Sequence, residues 1–165
     1  MLELIISGGQ SGADLAGNLF AMNFGIDTEI NTFKSFRPRD PRDYPLYAQI
    51  RKHFIPDLDE LDYAPALRAR THYNVVNSDA TLIFIHDQIS TTKGSLLTFN
   101  LARSERRPVF IISQSLDVEY TTNIITSTLI QHHPRVLNIA GERDMDKDFV
   151  VGILSAAYMQ MEVYK

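Results

Sequence analysis

The chain has 165 residues, 44% of them hydrophobic and 22% charged, with 16 basic residues against 20 acidic ones for a formal net charge of -4. That balance fits one soluble globular domain over residues 1–165 and argues against disorder, a membrane span or bulk-charge binding of long nucleic acid. With no cysteine in the chain, disulfides, thiol nucleophiles, thiolate zinc sites and iron-sulfur clusters are all excluded.

The chain opens on the apolar run Leu2 to Ile6, which predicts a buried strand, followed by Ser7-Gly8-Gly9-Gln10-Ser11-Gly12-Ala13-Asp14. Leu15, Leu19 and Met22 then recur at helical spacing up to Gly25, which reads as the helix stop. A strand feeding a helix through such a turn aims backbone N–H groups outward at the helix N-terminus, where an anion binds. The glycine spacing is neither G-x-G-x-x-G nor a Walker A loop, so a tight turn with no ligand is the competing reading.

Ile26 to Ile30 predicts a second strand, with Glu29 near its end. An irregular stretch from Asn31 to Asp43 carries Lys34, Arg37, Arg39 and Arg42 among prolines, which places these cations on a loop. The acidic stretch Asp57 to Asp62 lacks calcium-loop spacing and reads as a polar connection. Helical spacing from Ala64 to Asn77 carries Arg68 and Arg70.

Ala80 to Ile85 is the clearest buried strand, preceded by Asp79 and followed by His86. Thr91-Thr92-Lys93-Gly94-Ser95 then leads into a short helix, a second strand-turn-helix unit with glycine, hydroxyls and a lysine at its turn. Pro108 to Ile112 predicts a fourth strand, Asp117 to Gln131 a helix, Arg135 to Ile139 a fifth strand and Asp146 to Met161 an amphipathic terminal helix. No histidine pair shows ligand spacing, so no metal site is expected; His86, at the carboxyl end of the central strand, is the one histidine aimed at the crevice.

Alternating strands and helices predict an α/β fold: a single Rossmann-like, doubly wound domain of about five mainly parallel strands with helices on both faces. The strand order 2-1-3-4-5 is favoured, which brings the turns Gly8 to Gly12 and His86 to Ser95 together at the switch point.

The glycine turn, Arg70-Thr71-x-x-Asn74-Val75-x-x-Ser78-Asp79-Ala80-Thr81-Leu82-Ile83-Phe84, Gly94-Ser95-x-x-Thr98 and Val136 to Gly141 resemble, in order, the putative molybdenum carrier family. That family is similar to the SLOG group of Rossmann-like proteins, which includes nucleotide-ligand sensors and the cytokinin-activating LOG enzymes. The resemblance implies a phosphate or nucleotide-like ligand held by Gly8, Gly9, Gln10, Ser11, Gly12 and Asp14, with Arg70, Thr71, Asn74, Gly94, Ser95 and Thr98 touching ligand or supporting the turn. Two departures stand out. Thr32 to Arg37 replaces a second glycine-rich segment, and Lys93-Gly94 replaces Gly-Gly, which adds a cation beside the expected phosphate.

Two functions follow as expectations. The first is a binding protein, a sensor, carrier or sequestering module, for a small phosphate-bearing ligand: a nucleotide derivative or a molybdopterin-type cofactor. Backbone N–H groups at Gly9 to Gly12 and Gly94 to Ser95 hold its phosphates, with Lys93 or Arg70 neutralising charge. The second is a nucleoside-monophosphate glycosidic-bond hydrolase of LOG type. Its carboxylate position is occupied here by Thr98, which leaves Asp14 and Asp79 as the catalytic candidates. A cytoplasmic location and a homodimer are also expected.

Overall fold

The structure, a computed structural model, describes residues 2–89 and 92–163. The strands are β1 (Leu4–Ser7), β2 (Asp27–Thr32), β3 (Arg51–Phe54), β4 (Ala80–Ile85), β5 (Val109–Ser113) and β6 (Val136–Gly141). Between and after them lie α1 (Ala13–Phe24), α2 (Tyr44–Gln49), α3 (Tyr63–Val76), α4 (Lys93–Ser104), α5 (Val118–His132) and α6 (Lys147–Val163), with single 3-10 turns at Pro41–Asp43 and Leu58–Glu60. All strand pairings are parallel, in the order β3-β2-β1-β6-β4-β5, and helices cover both faces.

The doubly wound α/β class is as expected; the strand count and order are corrected. The sixth strand, β3, consists of Arg51, Lys52, His53 and Phe54, with no apolar run to betray it. Charged residues of this kind protect an exposed sheet edge from pairing with another chain. The second correction concerns β6, which inserts between β1 and β4 instead of closing the far edge. Leu137 and Ile139 are fully buried there, and buried Asn138 donates to Thr81 Oγ1 at 3.2 Å, a cross-strand bond that helps fix the register.

One apolar cluster fills the face under α1, α5 and α6, with Phe20, Phe24 and Tyr158 stacked edge to face or tilted at centroid distances of 5.0 to 5.9 Å. A second gathers Leu15, Ile30, Phe33, Phe36, Tyr47 and Ala66 around the segment between β2 and α3. The stretch expected as an irregular cationic loop is therefore half core. Phe33 and Phe36 are buried while Lys34, Arg37 and Arg39 stay exposed.

Candidate functional site

Parallel strands bring the segments after β1, β6 and β4 to one end of the sheet. The buried Ser7 hydroxyl donates to Asn18 Oδ1 at 2.7 Å and accepts the Gly9 N–H at 3.0 Å, tying the turn to α1. Gly9 and Gly12 adopt φ of 73° and 79°, which glycine alone adopts cheaply. A Cβ on Gly12 would lie 2.4 Å from the Glu142 carbonyl oxygen, a backbone atom with no freedom to swing aside.

Asp14, in the first turn of α1, accepts the N–H of Gln10 at 3.2 Å and that of Gly8. Burial pushes its carboxyl up to about 6, and the charge of Arg70 with these two N–H groups pulls the other way. The chain thus places its own carboxyl group at the helix N-terminus. Gln10 Oε1 accepts the Ser11 N–H at 2.9 Å and the Arg39 N–H at 2.8 Å, while Ser11 Oγ accepts the Asp40 N–H at 2.9 Å. Those two side chains fasten the 39–40 loop onto the turn.

The N–H groups of Gly9, Gln10, Ser11 and Ala13 are all bonded within the chain. Of the Gly9 to Gly12 donors expected to face a ligand, those of Gly9, Gln10 and Ser11 are thus engaged by the chain's own side chains. Ser11 and Gly12 are the turn residues that line the adjoining cleft.

Arg70 lies beneath the turn. Its Nη1 donates to the Gly8 carbonyl at 2.8 Å, and its guanidinium stacks 4.3 Å from the Phe36 ring centre. Desolvation pushes the guanidinium pKa down and the Asp14 charge raises it; its Nε has no hydrogen-bond partner. Asn74, one turn further along α3, accepts from Asn31 Nδ2 at 2.7 Å and joins α3 to β2. Arg70 thus supports the turn from inside, while Asn74 fastens α3 to the sheet.

At the start of α4, Lys93 and Gly94 are exposed while Ser95 and Thr98 are buried. The Thr98 hydroxyl donates to the Gly94 carbonyl at 3.1 Å, an intrahelical bond. Ser95 Oγ is buried without a partner. Because β6 intervenes, this turn and the glycine turn do not meet directly; Glu142 stands between them. Its backbone carbonyl accepts the Ala13 N–H at 3.2 Å, its Oε2 the His86 N–H at 3.1 Å, and its Oε1 the Thr92 hydroxyl. Thr91 of the expected turn lies outside the described residues.

Asp79 is placed at the opposite end of the sheet. Its Oδ2 accepts the N–H groups of Arg135 and Val136, each at 2.8 Å, where β4 and β6 begin. Its carboxylate there ties the starts of the two strands together, away from the glycine turn.

A cleft of about 740 Å³ opens beside Ser11 and Gly12, between the 39–43 loop and the segment 143–148. Arg42 pairs with Asp40 at 2.6 Å and Lys147 with Asp43 at 2.7 Å. Arg39 and Arg143 are exposed lining cations with no ion pair among the described residues. Asp144, Asp146 and Asp148 add negative charge at the far wall, where Asp146 accepts the Asp148 N–H at 3.0 Å at the start of α6. His86, Glu142 and Asp144 present one nitrogen and two carboxylate oxygens within 4.8 Å of one another at this end of the sheet.

Glu142, Arg143 and Asp144 were not singled out from the sequence. Their signal was their place just after a strand, which acquires meaning only once that strand is known to be central.

The profile of the circularly permutated YpsA SLOG family matches residues 5–161, nearly the whole fold just described. The chain belongs to that family. Among solved structures, this SLOG-family chain is similar to the crystal structure of a putative molybdenum carrier protein from Syntrophus aciditrophicus SB. The two are 30% identical with a TM-score of 0.72, and the likeness covers 97% of this chain and 94% of the other. Comparison with the curated proteins finds no match. The family resemblance drawn from the motifs is thereby borne out, and no described helix is long and apolar enough to cross a membrane.

Proposed function

We propose that this SLOG-family protein is a binding module for a small phosphate-bearing ligand, a nucleotide derivative or a molybdopterin-type cofactor, held in the cleft beside the glycine turn. The observation that carries the reading is the pair Arg39 and Arg143, exposed lining cations of a cleft of about 740 Å³ at the start of α1. Arginines without an ion pair among the described residues, beside a helix N-terminus, suit a phosphate group, which accepts parallel N–H bonds from a guanidinium. The name of the Syntrophus aciditrophicus protein, which concerns molybdenum, supports the pterin-type alternative.

A hydrolase would need a carboxyl group at the ligand. Asp79 stands at the wrong end of the sheet, and Thr98 is bonded to its own helix. Asp14 is the remaining candidate, and its pKa of about 6 suits a proton donor near neutral pH, yet it lies buried with its oxygens turned to the backbone. The binding reading therefore ranks first.

Calorimetric titration with nucleoside monophosphates, with the solutions analysed afterwards for free base, separates the two. Binding that is lost in an Arg39→Ala, Arg143→Ala double variant, with the nucleotide recovered intact, supports the module. Release of free base by the unaltered protein would establish the hydrolase instead.

A further inference from the structure

We propose that His86, Glu142 and Asp144 bind a divalent first-row transition-metal ion at the edge of the cleft. Adjacent parallel strands deliver the first two: β4 ends at Ile85 immediately before His86, and β6 ends at Gly141 immediately before Glu142. Asp144 follows two residues later and also lines the cleft.

The spacing of the three groups fits a cation better than it fits mutual hydrogen bonding. His86 Nε2 lies 3.4 Å from Glu142 Oε2 and 3.4 Å from Asp144 Oδ1. An N–H···O bond is shorter, about 2.7 to 3.2 Å. Ligand atoms around an ion with bonds of about 2.0 to 2.1 Å, by contrast, stand about 3.0 to 3.4 Å apart along an edge of the coordination polyhedron. All three ligand atoms lie within 4.8 Å of one another.

The groups behind the ligands point the same way. His86 Nδ1 is 3.0 Å from Gln114 Oε1, a carbonyl oxygen that accepts a ring N–H and so turns Nε2 toward the two carboxylates. Metal-ligating histidines are oriented in this manner by an acceptor on the other ring nitrogen. Glu142 is 7% exposed and fixed by the His86 N–H and the Thr92 hydroxyl. One ligand is therefore rigid and buried, one is oriented, and Asp144 is an exposed third.

One imidazole with two carboxylates favours zinc, manganese or iron(II) over calcium or magnesium, which prefer all-oxygen sites. Three protein ligands leave coordination positions open for water or for a ligand oxygen. The site rests on these side chains alone and stands apart from the phosphate reading.

The test is titration of the chelator-stripped full chain with zinc(II) by calorimetry and with cobalt(II) by visible absorption, with no nucleotide present. One ion per chain is expected. His86→Ala and Asp144→Asn should each weaken binding at least tenfold, and Gln114→Leu, which removes only the orienting acceptor, about tenfold or more. Asp144 is exposed, so its variant keeps the fold, which circular dichroism verifies. A His132→Ala, His133→Ala double variant should bind as tightly as the unaltered chain. Absence of binding by the unaltered chain, or affinity unchanged in both His86→Ala and Asp144→Asn, overturns the site. Failure by either route leaves the cleft and its two arginines as they are.

Discussion

Asp14 and Arg70 both grip Gly8: the Gly8 N–H donates to the Asp14 carboxyl, and the Gly8 carbonyl accepts from Arg70 Nη1 at 2.8 Å. Both side chains are buried, so a carboxyl and a guanidinium hold the first residue of the glycine turn from inside the protein. Turn shape, helix start and local charge are thereby coupled.

The first prediction concerns pH. Burial raises the Asp14 carboxyl from 3.8 to about 6. The folded state thus binds this proton more tightly than the unfolded state does. The stability it contributes is fully present below pH 3.8 and is lost as pH rises through about 6. The difference in unfolding free energy between the unaltered chain and Asp14→Asn should fall by roughly 2.4 kcal/mol between pH 4 and pH 7. Urea unfolding of both proteins at the two pH values measures it, and a difference that grows with pH would contradict the assignment.

Removing the other half of the grip should be costly. Arg70→Met loses the bond to Gly8 and the charge that offsets Asp14, and should destabilise the fold by about 3 kcal/mol at neutral pH. It should also move the Asp14 titration, followed by carbon NMR of the carboxyl group, to a pH above 6, because the Arg70 charge holds that pKa down. An unmoved titration would show that Arg70 acts by packing alone.

Two glycines of the expected ligand set should behave in opposite ways. Gly12→Ala places a methyl 2.4 Å from a backbone oxygen at a φ of 79°, and should destabilise by at least about 2 kcal/mol. Gly94 has open space at its Cβ position within a helix, so Gly94→Ala should be neutral or stabilise by up to about 1 kcal/mol. Thermal unfolding of the two variants compares them directly.

These contrasts show what was legible in the sequence. Strands such as Ala80–Ile85 announce themselves because they are buried on both faces and uniformly apolar. β3 escaped because three of its four residues are basic or histidine and its stability comes from pairing with β2. The central place of β6 escaped because local apolarity says which segments are strands and is silent on which strands are neighbours. That one displacement put Glu142 between the two turns and made the segment 142–144 part of the site. Likewise, Gly8 to Gly12 was readable as a helix-capping turn, whereas the capture of its N–H groups by Ser7, Gln10 and Asp14 depends on side-chain geometry that no glycine spacing encodes.

Arg39 and Arg143 are both exposed, so replacing them with alanine should change stability by no more than about 0.5 kcal/mol each. Loss of a ligand in the double variant is therefore separable from loss of fold.

The most direct measurement is mass spectrometry of the small molecules that heat releases from the purified chain and from the Arg39→Ala, Arg143→Ala double variant. A nucleotide- or pterin-type phosphate present in the first sample and missing from the second is the predicted result. Its absence from both samples, or equal amounts in the two, would contradict a phosphate-bearing ligand held between these arginines.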